Sequence, residues 1–363
     1  AGYRSPPQPS FDFAFDEAWV AQVNHVKRKI RSELNLPDWQ KYGFGHKRAA
    51  EFEQLAASGD DPPGAVARET VAMSLEDFWE KYEKPGRPCL ISGIPEFQQW
   101  PACQKWTFDG FFKKFRHSHF KVGKDDDGST IRLRADFFEE YMKTQKDDSP
   151  VYLFDNHFKH EKKELLSDYR IPHYFPDDFM ALANDDRPPY RWIGIGPKRS
   201  GTVMHQDPLC TSAWNTLIRG RKLWLLLPPS TPKRVAKSKD VMLPDDDDEA
   251  CNHFLDLLPR KRARQDPDFH PLLCVQYPGE TIFVPGNWWH CVLNLDDTIA
   301  VTQNYVGRHN FASVWRSCRE ERPCWSYRWL RNMEALAPEL AAEARRLNLQ
   351  VLEIVRGFLT WGE

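Results

Sequence analysis

The stretch AWNTLIRGRKLWLLL, residues 213–227, holds two apolar runs, Ala213–Arg219 and Lys222–Leu227, that meet at Arg219-Gly220. Short runs rich in Leu, Ile, Thr and Trp read as strands, and glycine supplies the left-handed backbone that a tight turn needs. With Arg219-Gly220 as the turn, Leu217 faces Lys222 and Asn215 faces Trp224. These four side chains then share one face, and Arg221 points away from it. An inward lysine in an apolar strand needs an anionic partner, because a buried charge is expensive alone. The stretch therefore predicts both β architecture and an internal anion site.

The same texture continues on both sides. Further candidate strands are Val151–Asp155, Tyr190–Gly196, Thr202–Asp207, Leu272–Tyr277, Thr281–Pro285, His290–Leu295 and Thr298–Val306. Short strands broken by Pro and Gly predict a mainly β fold with helical additions, a sandwich, jelly roll or barrel rather than a βαβ sheet. The flanks read as helix. Phe15, Trp19, Val23, Val26 and Ile30 recur at spacings of three and four, which puts them on one helical face. Ala57–Arg68, with Gly59, Pro62, Pro63 and Gly64, reads as a loop or linker. Ser74-Leu75-Glu76-Asp77 is a capping-box pattern followed by Phe78 and Tyr82 at helical spacing, and Arg87–Ile91 looks like a short buried strand. At the other end, Met333, Leu336, Leu340, Leu347, Val351, Ile354 and Leu359 form an apolar stripe, expected to pack on the core or to join two copies as a homodimer. The predicted organisation is a helical region with supporting strands over 1–150, a β domain over 151–309, and a helical region over 310–363.

The 363 residues carry 50 Lys+Arg against 52 Asp+Glu, a formal net charge of -2. That balance excludes a surface uniformly built for nucleic acid or membrane. Local basic clusters at Lys27–Arg31 and Arg260–Arg264 still offer contacts to RNA phosphates. The second cluster lies in a charged insertion, about 237–268, with the acidic run Asp245–Glu249; such runs are expected to be solvated loop. The longest apolar stretch, Leu223–Leu227, is far too short to cross a bilayer, so no membrane insertion is expected. Eight cysteines, none in a CxxC pair, suit reduced thiols.

His205-Gln206-Asp207 is an H-x-D triplet. On a strand, residues i and i+2 project to one face, which sets the imidazole beside the carboxylate. His290, after Pro285-Gly286-Asn287-Trp288-Trp289 at the mouth of another strand, is the candidate third ligand. Two histidines and a carboxylate form the facial triad of non-heme Fe(II) oxygenases, which leaves coordination positions open for a co-substrate and O2. For the triplet alone, a buried histidine bonded to its neighbouring aspartate is the plainer account; the inward Lys222 weighs against it. Thr302, sharing a face with Ala300 and Asn304, and Tyr152 offer hydroxyls to the same anion. A dicarboxylic keto acid suits the arrangement, one end on iron and the other on Lys222.

These residues bring a family into view. His205-Gln206-Asp207-Pro208-Leu209, Thr211-Ser212-Ala213-Trp214-Asn215, Lys222, and Pro278-Gly279-Glu280-Thr281-Ile282-Phe283-Val284-Pro285 before Trp288-Trp289-His290 resemble the JmjC-domain oxygenases. Within them the chain looks most like the bifunctional arginine demethylase and lysyl-hydroxylase group, over about 74–304. The resemblance implies a double-stranded β-helix (cupin-like jelly roll). It implies Fe(II) held by His205, Asp207 and His290, and 2-oxoglutarate contacted by Tyr152, Asn215, Lys222 and Thr302, with Thr202 a lesser candidate. It implies hydroxylation of lysine side chains, demethylation of methylated arginine, or both, in proteins, with release of succinate and CO2. A Lys- or Arg-rich peptide is then the expected partner; Asp126, Asp127 or the Asp245–Glu249 run is a candidate attractor for it, a solvated acidic loop being the plainer account. Basic clusters together with the resemblance suggest nuclear residence, with the cytoplasm open as well. Two positions depart from the pattern: Cys210 stands where a small Gly-like residue is expected, and Asn287 where Gly is common. Two competing readings are a catalytically idle cupin that binds protein or RNA, and a zinc hydrolase, which would leave Lys222 without an anion.

Overall fold

The computed structural model describes residues 11–58 and 65–360, with side chains described over 15–58 and 65–349. Its centre is a pair of facing sheets. The first 150 residues contribute β1 (Ala67–Thr70), β2 (Cys89–Ser92) and a separate hairpin of β3 (His119–Lys124) and β4 (Thr130–Arg134). Then come β5 (Leu153–Asp155), β6 (Arg191–Gly196), β7 (Gly201–His205), β8 (Ser212–Arg219) and β9 (Lys222–Leu227). The last four are β10 (Leu272–Gln276), β11 (Glu280–Val284), β12 (Trp289–Asn294) and β13 (Thr298–Tyr305). One sheet runs β1-β2-β11-β8-β13-β6-β5 and the other β10-β9-β12-β7. The predicted strands appear within two residues at each end, and the architecture is the expected jelly roll with helical additions. The larger sheet draws β1 and β2 from before residue 150, so both parts of the chain build it.

The hairpin reading is corrected. β8 pairs with β11 and β13 in the seven-stranded sheet, whereas β9 pairs with β10 and β12 in the other. Gly220 has the expected left-handed backbone, φ +77°, but its turn carries the chain from one sheet to the opposite one. Leu217 therefore does not pair with Lys222, nor Asn215 with Trp224. Asn215, Lys222 and Trp224 nonetheless line one cavity, because inner faces of opposed sheets meet just as neighbours on one face do. The pleat argument for Asp207 is corrected as well. β7 ends at His205, and Asp207 heads a short 3₁₀ turn over Pro208–Cys210.

Helix Phe11–Ile30 buries Val23 and Val26 in an aromatic-rich core with Trp39, Phe138 and Tyr141. The expected linker begins after helix Ala49–Ala57, and its last residues enter β1; residues 59–64 lie outside the described part. Ser74 caps the next helix, its Oγ accepting from the Asp77 N–H at 3.0 Å. At the C-terminus, helices Phe311–Glu321, Pro323–Leu336 and Pro338–Thr360 share a core of Phe311, Val314, Trp315, Trp329, Met333 and Leu347. From the apolar stripe, Met333 and Leu347 are buried and Leu336 is 62% exposed. The side chains of Val351, Ile354 and Leu359 lie outside the described residues.

The charged insertion is not a solvated loop. Asp247 pairs with Arg31 at 2.8 Å, Asp246 with Arg260, and the Asp245 carbonyl accepts from the Tyr42 hydroxyl at 2.7 Å. Lys261 is fully buried between Asp240 at 2.9 Å and Asp266 at 3.4 Å, and Arg264 lies 3.4 Å from Asp240. In the other basic cluster, Lys27 pairs with the buried Asp147. The opposite charges cancel internally because the two runs fold onto each other and onto the N-terminal helix. Much of the positive charge offered for phosphate contact, and of the acidic charge offered to a basic peptide, is engaged within the chain.

Candidate metal centre

The register of β12 against β7 sets His290 directly opposite His205, and a bulge follows before Val292. The ring centroids are 4.2 Å apart. The Nε2 atoms of His205 and His290 lie 3.8 and 3.9 Å from Oδ1 of Asp207. Among the described residues this is the one group of three or more His, Cys, Asp or Glu side chains whose ligand atoms lie within 4.8 Å of one another. Each imidazole is oriented in the same way. Nδ1 of His205 donates to the Val203 carbonyl at 2.7 Å, and Nδ1 of His290 to the Trp288 carbonyl at 3.0 Å. A carbonyl only accepts, so Nδ1 must carry the proton and Nε2 of the neutral ring presents its lone pair. Burial, with His290 beside it, lowers the His205 pKa to about 4, which keeps that lone pair free at neutral pH.

Behind the triad is a cavity of about 220 Å³ lined by Tyr152, Thr202, Asn215, Lys222, Thr302 and the aromatic faces of Phe154, Trp192 and Trp224. A larger groove, about 540 Å³, between helix Ala49–Ala57 and the insertion contains none of these groups. Lys222 is 2% exposed, and its ammonium donates to Asn294 Oδ1 at 2.6 Å and the Tyr152 hydroxyl at 3.2 Å, with Thr298 Oγ1 at 3.5 Å. No carboxylate of the described residues pairs with it. Burial without an anion lowers its pKa to about 7. Thr202 Oγ1 and Asn215 Oδ1, lining the same cavity from opposed sheets, are buried without a hydrogen-bond partner. A small dianion fits these groups: it supplies the charge that Lys222 lacks and polar atoms for the two orphans. Thr302 lies on the wall, but its hydroxyl donates to the Trp214 carbonyl at 2.8 Å, so toward a ligand it can only accept.

The sequence reading missed Asn294 and Thr298. Asn294 was readable in principle, because His290, Val292 and Asn294 follow the period of two that puts side chains on one strand face. Room for Tyr152 also comes from β6. A Cβ at Gly194 would stand 2.6 Å from the Tyr152 hydroxyl oxygen, and one at Gly196 2.7 Å from its ring. At the outer rim, the departures Cys210 and Asn287 adopt left-handed backbone, φ +57° and +66°, a conformation in which Gly is at ease and Asn is tolerated.

Residues 192–305 match the family model described as JmjC domain, hydroxylase. Over 326 residues the chain is 38% identical to the bifunctional arginine demethylase and lysyl-hydroxylase psr-1 of Caenorhabditis elegans, covering 88% of this chain and 78% of that protein. The chain belongs to the JmjC-domain hydroxylase family. It is also 37% identical over 319 residues to the arginine-specific demethylase JMJ22 of Arabidopsis thaliana, covering 84% of this chain and 59% of the relative. With the 2-oxoglutarate and iron-dependent oxygenase JMJD4 of Gallus gallus it shares 29% identity over 274 residues, 69% of this chain and 62% of the relative. Membership makes this JmjC protein an Fe(II)- and 2-oxoglutarate-dependent dioxygenase, and the three-ligand cluster beside an anion-seeking cavity is chemically suited to both groups.

Proposed function

We propose that this chain hydroxylates lysine side chains or demethylates methylated arginine in proteins, with His205, Asp207 and His290 as iron ligands and Lys222 as the anchor of 2-oxoglutarate. The observation that carries the reading is the juxtaposition of the His–Asp–His cluster with a cavity whose buried ammonium has no protein anion. Support for the substrate class comes from the relatives, whose names specify arginine demethylation and lysyl hydroxylation. When bound, iron and 2-oxoglutarate with O2 supply oxidation of a substrate C–H bond, coupled to loss of CO2 from the keto acid as succinate forms.

The protein's own residues do the rest. The Val203 and Trp288 carbonyls hold both imidazoles in the tautomer that leaves Nε2 bare. Lys222, steadied by Asn294, grips the distal carboxylate, while Tyr152 and Asn215 orient it. Phe154 and Trp192, stacked at 5.7 Å, form an apolar part of the cavity wall that limits water within it. Strand-borne histidines hold their positions more firmly than loop-borne ones would.

The test is mass spectrometry of Lys-rich and methylarginine-containing peptides after incubation with Fe(II), 2-oxoglutarate and O2. Hydroxylation adds about 16 mass units, one oxygen, and demethylation removes about 14, one methylene. Either shift, abolished in Asp207→Ala, supports the proposal. Succinate production without change in any lysine or arginine peptide would refute the substrate assignment. Full turnover by the Asp207→Ala variant would refute the metal centre.

A further inference from the structure

We propose that Leu209 is the positioning residue through which the C-terminal helical core sets the Asp207 carboxylate at the metal. The inference rests on the reading of His205, Asp207 and His290 as the iron site. Both histidines are oriented by hydrogen bonds to backbone carbonyls. Asp207 is different: its carboxylate receives no hydrogen bond from the described residues, and Oδ1 lies 3.8 and 3.9 Å from the two imidazole Nε2 atoms, its fellow ligands. What fixes it is therefore the path of its backbone.

That path is unusual. Leu209, two residues on, has φ +58°, and Cys210 follows at +57°. Two successive left-handed residues bearing side chains are unfavourable unless their surroundings impose them. One side of the surroundings is helical. Leu209 is buried in the core that includes Val306, Phe311, Val314, Trp315 and Cys318. The other side is the loop that leads to His290. A Cβ on Gly286 would stand 2.3 Å from the Cys210 carbonyl oxygen, so only a glycine lets the two backbones lie this close. Gln206 Nε2 donates to the Asn287 carbonyl at 2.6 Å, and the Gly286 N–H donates to Ser212 Oγ at 3.1 Å. Ser212 Oγ also accepts from Asn310 Nδ2 at 3.0 Å, and Asn310 precedes helix Phe311–Glu321. Both ligand loops are thus clamped to the start of the first C-terminal helix, and Leu209 is the residue of that core closest in sequence to Asp207.

The test is anaerobic equilibrium dialysis of the full chain against Fe(II), with thermal melts of the metal-free protein. Leu209→Ala should weaken iron binding about 10- to 100-fold, the range seen when a metal ligand loses its support. Leu209→Met, an unbranched swap of similar volume that adds no β-branch at this left-handed position, should stay near the wild type in both readouts. Leu347→Ala, which opens the same helical core from the helix Pro338–Thr360, should lower the melting temperature yet keep iron affinity. Wild-type affinity in Leu209→Ala overturns the proposal, and so does an equal loss in Leu347→Ala, which would mark the effect as general loosening. The two readings separate cleanly. If the wild type itself fails to bind Fe(II), the iron site falls and this inference with it. If the wild type binds, Asp207→Ala does not, and Leu209→Ala matches the wild type, only the positioning role falls.

Discussion

Lys222 shows how one side chain joins stability to ligand binding. Its amine is surrounded by neutral partners, Asn294, Tyr152 and Thr298, and burial lowers its pKa to about 7. An unfolded lysine titrates near about 10.4. Between those values the unfolded chain holds a proton that the folded chain lacks, so stability should rise with pH across that window. Below about 7 the buried charge costs its full penalty. Lys222→Met should flatten this rise in urea melts followed against pH. It should also weaken 2-oxoglutarate binding by about 10- to 100-fold, the weight of one or two charge-assisted hydrogen bonds. A dicarboxylate restores the proton. At about pH 8.5, calorimetry in buffers of different ionisation heat should show close to one proton taken up on binding, and none in Lys222→Met. Equal uptake in the two proteins would mean that another group receives the anion.

At the scale of elements, three glycines make strong demands. Trp192, Gly194 and Gly196 share a face of β6, and the missing side chains at 194 and 196 are what let the Tyr152 ring lie against that strand. Gly194→Val should push the phenol away from Lys222 and weaken 2-oxoglutarate about tenfold, the loss of one good hydrogen bond, with iron affinity unchanged by dialysis. Gly220 has two reasons to be glycine: φ of +77°, and an Asp297 carbonyl oxygen 2.1 Å from where its Cβ would sit. Gly220→Ala should cost more than about 1 kcal/mol in chemical denaturation. The loss should be general, because this turn hands the chain from the seven-stranded sheet to the four-stranded one.

At the scale of the whole molecule, the insertion ties distant parts of the chain together. Arg31, at the end of the N-terminal helix, reaches Asp247 at 2.8 Å and Glu249 at 3.6 Å. Arg31→Ala should free the acidic run and speed trypsin cleavage after the half-exposed Lys239; an unchanged digestion rate would show that the contact carries no restraint. Lys261 illustrates a deeper tie. Asp240→Ala would leave its ammonium buried with only Asp266, and should destabilise the protein by about 3 kcal/mol, the cost of breaking a buried pair from one side. Urea melts of Asp240→Ala and of Asp240→Ala with Lys261→Met check this, since removing both charges should recover much of the loss.

The sequence by itself determined what is local. Short apolar runs and their Pro and Gly breaks located the strands of the two facing sheets except β1, part of which reads as linker. The types and order of His205, Asp207, His290 and Lys222 named the chemistry, and the motif resemblance named the family. Only the tertiary structure decided what depends on partners far along the chain. Two alternating strands joined by glycine look alike whether they pair with each other or cross between sheets, so the separation of β8 from β9 is invisible in their residues. The register that sets His205 against His290 spans 85 positions and is fixed by packing of both sheets. A run of like charges does not show whether water or an opposite run will face it. That choice belongs to the folded chain, where Coulomb attraction between segments and the cost of desolvation are settled together.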